Sequence, residues 1–210
     1  MSDLRITLTT DGASDEVLFY PLRWLLRQHV CDGVTIQSQW ADLRTLRQKA
    51  RGLSERIGRA LEFYPCDLLF VHRDAEKDEP AVRRQEIERA LASLASPAPS
   101  VCVIPVRMTE AWLLFDEKAV RRAAGNPNGK RPLDIPHRDP EKLPDPKSAL
   151  RTLLQDASGL SGRRLRGFNT SHAVRRVAEY IADFSPLREL SAFQTLERDL
   201  LEVLHHHGWR

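Results

Sequence analysis

The chain has 210 residues, of which 41% are hydrophobic and 29% charged, and its formal net charge is +3. That length supports one domain with a substantial core and leaves little room for a second, while no apolar run approaches the roughly 20 residues needed to cross a bilayer. So small a net charge neither requires nor excludes a nucleic-acid partner, because what matters is where Lys and Arg gather.

The opening residues MSDLRITLTTDG enter a strand-like alternation at once and lack the basic, apolar and small-residue order of a signal peptide. This predicts a cytoplasmic chain with no membrane segment. Cys31, Cys66 and Cys102 lie far apart and form no C-x-x-C pair, so they are expected as reduced, mostly buried thiols.

Leu4–Thr9 reads as the first strand and runs into Asp11-Gly12-Ala13-Ser14-Asp15, a strand-to-helix turn. Gly12 permits a tight bend and Asp11 is expected to project from the sheet's rim, whereas Ser14 or Asp15 is placed to cap the following helix. That helix, Glu16–His29, carries Val17, Leu18, Leu22, Leu25 and Leu26 at helical spacing. Val34–Gln39 is the second strand, and Arg44–Phe63 the second helix.

The apolar strand Leu68–His72 leads into Arg73-Asp74-Ala75-Glu76, a D-x-E pair. Two carboxylates so close repel unless a cation neutralises them, and magnesium, which takes oxygen ligands, fits that need. The plain alternative is a polar turn. Ala81–Leu94 reads as a helix and Val101–Val106 as the fourth strand, after which Glu110 opens the helix Glu110–Ala124. A carboxylate there also suits the helix macrodipole.

Alternating strands and helices predict an α/β fold: a mainly parallel sheet with helices on both faces, of Toprim or Rossmann-like type, receiving ligands at the carboxyl ends of its strands. Residues 1–124 form this core. A Pro-rich loop, 125–147, holds six of the 13 prolines, and 148–210 reads as a helical C-terminal extension packed on the same domain, with three helices punctuated by Gly159, Gly162, Gly167 and Pro186.

Basic residues that could position a polynucleotide are Arg83, Arg84, Lys130, Arg131, Arg138, Lys147, Arg163, Arg164, Arg166, Arg175 and Arg176. The simpler reading of any one of them is a solvated surface. His205-His206-His207 reads as a frayed terminus, since consecutive helical residues point about 100° apart. Neither a Walker loop nor a G-x-S-x-G elbow is present, and Trp24, Trp40 and Trp112 read as core or interface residues.

Asp11-Gly12, Asp74-x-Glu76 and Glu110-Ala111-Trp112-Leu113-Leu114 together resemble the Toprim-like fold, specifically the small Toprim-related proteins encoded beside ATPases in bacterial genome-defence loci. The likeness spans about Ile6 to Ala124. A Toprim domain opens with Glu-Gly and later carries Asp-x-Asp; here Asp11 and Glu76 stand at the first and last of those acids, keeping the charge and altering the reach. The resemblance implies Mg2+ or Mn2+ on Asp74 and Glu76, assisted by Asp11 as ligand or acid-base group, with Glu110 completing the shell. It further implies a divalent-metal-dependent nuclease cleaving DNA or RNA in anti-phage defence with an ATPase partner. Two other readings stand beside it: a PIN-type RNase, and a non-catalytic regulatory or docking subunit of an ATPase complex.

Overall fold

Apolar residues at every second position of Ser2–Thr9 (β1) put Leu4, Ile6 and Leu8 on one face of a strand, each at 1% exposure or less. In the computed structural model, which describes residues 2–46, 50–136 and 140–210, β1 pairs in parallel with Val34–Trp40 (β2) and with Leu68–His72 (β3). β3 pairs in parallel with Ser100–Val103 (β4). The order β2-β1-β3-β4 is that of a doubly wound sheet, as the alternation of elements predicts. Its winding reverses between β1 and β3, and in such sheets ligands enter at that switch, outside the carboxyl ends of the strands.

β3 is buried on both faces, which is why it reads as a continuous apolar run. Leu68 and Phe70 face a core shared with Leu4, Ile6 and Leu8 and with Phe19–His29 (α1), while Leu69 and Val71 face Leu53–Phe63 (α2) and Pro80–Ala92 (α3). The first core continues into Glu117–Ala123 (α4), Pro146–Ser158 (α5), Thr170–Tyr180 (α7) and Ser191–His206 (α8). Trp112 and Phe193 meet edge to face inside it, with ring centroids 5.3 Å apart.

Several boundaries differ from expectation, each for a local reason. β4 ends at Val103 rather than Val106, where Pro105 has no N–H to donate and Arg107 adopts a left-handed φ of 66°. The expected helix Glu110–Ala124 divides into a 3-10 turn, Thr109–Leu113, and α4, which Asp116 caps by accepting the Ala119 N–H at 2.9 Å. The second helix starts at Leu53, not Arg44; Leu43–Thr45 forms its own 3-10 turn. The first begins with a 3-10 turn, Ala13–Leu18, and becomes α-helical at Phe19. In the C-terminal region the described residues form four α-helices rather than three, because Gly159 (φ 66°) ends α5 and Gly162–Arg166 (α6) forms separately.

All three cysteines are free, and Cys31 is exposed rather than buried. Burial pushes the Cys102 thiol up to about 11. α8 stays helical to His206, and His207 stacks on Trp209. Among the described residues no helix is long and apolar enough to cross a membrane. Arg138 lies outside the described residues.

Candidate functional site

His72 closes β3 with the same parity as Leu68 and Phe70, so its ring enters the larger core and is 1% exposed. Its Nε2 lies 3.1 Å from Asp74 Oδ1 and 3.2 Å from Thr109 Oγ1. Thr109 donates in turn to Asp74 Oδ1 at 3.1 Å. The other ring nitrogen, Nδ1, has no hydrogen bond among the described residues and lies 3.7 Å from Asp15 Oδ2. Asp15 accepts the Gly12 N–H at 3.0 Å and the Ser14 hydroxyl at 3.1 Å, so it bonds back to the N-cap, which is Gly12 rather than the expected Ser14 or Asp15, and also faces the histidine.

Burial pushes the Asp15 carboxyl above the ordinary range, with the charge of Asp74 adding and His72 opposing. Glu110 is raised too, first by burial and then by Asp74 and Asp15, against the pull of Lys147, whose Nζ lies 3.7 Å away. Acids following β1, β3 and β4 therefore feel one another at the switch point of the sheet. Burial and neighbouring like charges of this kind are also how active sites tune their carboxyl groups.

Asp11, Asp74 and Glu76 do not form the expected shared cluster: among the described residues no three His, Cys, Asp or Glu side chains are spaced as a metal shell. Strand parity explains the absence of Asp11. It follows Thr7 and Thr9 onto the α2 side, where it pairs with Arg56 and, at 2.9 Å, with Arg73 Nε. Glu76 adopts φ 55° in the loop after β3, is exposed, and lies 3.5 Å from Arg83. Asp74 and Glu110 do reach one neighbourhood, together with Asp15.

Several of the expected nucleic-acid contacts are engaged internally. Arg83 pairs with Asp78 at 2.8 Å and Glu86 at 2.9 Å and donates to the Asp74 carbonyl at 3.2 Å, shaping the loop that carries Asp74. Arg84 ties α3 to α8 through Asp199 at 2.5 Å. Arg131 lies 3.3 Å from Asp156; Lys130, Arg163 and Arg164 are exposed. Lys147 lies 3.7 Å from the Glu110 carboxylate.

Beside the cluster opens a cavity of about 370 Å3, lined by Glu16, Arg44, Glu110, Lys147, Arg151 and Arg175 among others. Arg44 and Arg151 escape a sequence reading because nothing local marks them, and only the fold brings them to the cavity that Glu110 lines. His72 carries a faint signal, a polar residue closing an apolar strand. Comparison with protein-family models, with curated proteins and with solved structures returns no match, so what the site does is argued from its own residues and geometry.

Proposed function

We propose that the chain is a divalent-cation-dependent nuclease of Toprim type, hydrolysing phosphodiester bonds of DNA or RNA at the carboxyl ends of β1, β3 and β4. The observation that carries this reading is the burial of Asp15 and Glu110 near Asp74, which His72 and Thr109 hold in place, beside a basic cavity. Repulsion among buried acids is what a bound cation relieves. Their hard oxygen donors suit magnesium or manganese, and one or two carboxylates suffice when waters and phosphate oxygens supply the rest of the shell.

Asp74, fixed by His72 and Thr109, and Glu110 would hold the ion, with Asp15 in the position first assigned to Asp11. Such an ion would supply polarisation of the scissile phosphate and a more acidic water. His72 and Thr109 keep Asp74 in one orientation, as partners behind a ligand do. An ATPase partner and a role in defence against foreign nucleic acid belong to this proposal through the resemblance.

The test is a manganese and magnesium titration with single- and double-stranded DNA and RNA, comparing the wild type with Asp74→Asn and Glu110→Gln. The expected result is cleavage that requires the metal and falls roughly 100-fold or more in each variant. Cleavage unchanged in Asp74→Asn overturns the assignment. Absence of both metal binding and cleavage favours the non-catalytic docking subunit, a reading to which the lack of a ready-made shell among the described residues lends weight.

A further inference from the structure

The cavity beside the carboxylates is lined by four cationic side chains, Arg44, Lys147, Arg151 and Arg175, against two acids, Glu16 and Glu110. Three of the four have partners: Lys147 lies 3.7 Å from Glu110, Arg175 3.0 Å from Glu16, and Arg44 2.7 Å from Asp42. Arg151 makes no hydrogen bond or ion pair among the described residues, although its charge is felt by Asp145 at the start of the same helix. An unpaired guanidinium at the wall of a cavity with excess positive charge is a ready receptor for phosphate oxygens, which it grips with two parallel N–H donors.

We propose that this cavity is a phosphate subsite that takes the backbone of a single-stranded nucleic acid and leads it to the carboxylates. The inference rests on the nuclease reading for the purpose of the site, and it adds the form of the substrate. A single strand suits the site because two of the three acids are recessed, Asp15 at 8% and Glu110 at 7% exposure, with Asp74 half-buried beside them. A duplex presents its phosphates on a stiff cylinder and stays at the rim, whereas a flexible strand can bend into the recess. Arg151 and Arg175 hold one phosphate, and Lys147, shared with Glu110, stands between that phosphate and the acids.

The test measures binding without catalysis, by fluorescence anisotropy of a short labelled single strand in the presence of EDTA, with the matched duplex and inorganic phosphate as competitors. The single strand is expected to bind and to be displaced poorly by either competitor. In Arg151→Gln the affinity falls several-fold at low salt, and the slope of log K against log salt shrinks by about 0.7, one phosphate contact on a single strand. Arg175→Gln behaves alike, while Arg198→Gln, at a separate cavity with Leu201 and His205, leaves both quantities unchanged. Wild-type binding in Arg151→Gln and Arg175→Gln overturns the subsite, as does equal affinity for the duplex, or occupancy by inorganic phosphate with no strand binding. Strand binding lost in Arg151→Gln, with no cleavage when magnesium is added to the wild type, supports the subsite and sinks the hydrolase. Cleavage indifferent to Arg151→Gln does the reverse.

Discussion

Replacing Phe193 by alanine tests whether the C-terminal helices share one cooperative core with the sheet. Phe193 on α8 is fully buried and stands edge-on to Trp112, with centroids 5.3 Å apart and planes at 80°. Emptying such a site costs about 3–5 kcal/mol in lost transfer energy and residual cavity. The aromatic pair, worth about 0.5–1.5 kcal/mol beyond its area, pushes the loss toward the upper end. In a chain of this size each kcal/mol lowers the melting temperature by about 2–4 °C, so a fall of roughly 10–20 °C is expected. Urea unfolding followed by tryptophan fluorescence and far-ultraviolet circular dichroism measures it, and the two probes should shift together. Phe193→Leu, which leaves a smaller void, gives a second point that stays folded if the alanine variant does not. A loss under about 2 kcal/mol, or two separate transitions with the sheet untouched, refutes the single core.

The remaining predictions concern charge. Because the Glu110 carboxyl is raised on folding, its contribution to stability is complete below its unfolded value, near 4.5, and is lost as pH rises through the higher folded value. Glu110→Gln is therefore expected to be more stable than the wild type at neutral pH, with the gap closing below about pH 4 in parallel urea titrations; a gap of opposite sign at pH 7 contradicts the repulsion. Glu197 behaves inversely: burial alone would raise its carboxyl, but Arg188 at 2.7 Å and His29 at 2.6 Å outweigh that and hold it low. Glu197→Gln should cost about 1–3 kcal/mol above pH 5 and progressively less as acid protonates the wild-type residue, and a pH-independent cost argues against the charge-assisted bonds.

The parallel sheet is legible because each strand carries an unambiguous pattern: strict alternation in Leu4–Thr9, an unbroken apolar run in Leu68–Val71. The site is legible only as far as the strand ends that supply it. Asp74 and Glu110 were placed by that rule, but Asp11 and Asp15 follow the same strand and only the turn between them decides which one faces inward. Period-two parity sends Asp11 to α2, and the 3-10 turn swings Asp15 back under His72. Arg83 and Arg84 illustrate a different limit. Arg83 meets Glu86 within one turn of α3, whereas the partner of Arg84, Asp199, lies more than a hundred residues away and is set by packing between α3 and α8.

The Arg84–Asp199 tie also bears on how the molecule meets copies of itself. α8 places Leu196, Leu200 and Leu204 in the core on one side of the sheet and reaches a helix on the opposite side through Asp199. It can do both only by passing the outer margin of β4, so it shields that margin from pairing with a strand of a second chain. Growth by sheet extension is thereby blocked at the β4 end, while at the other margin β2 pairs with β1 alone among the described residues.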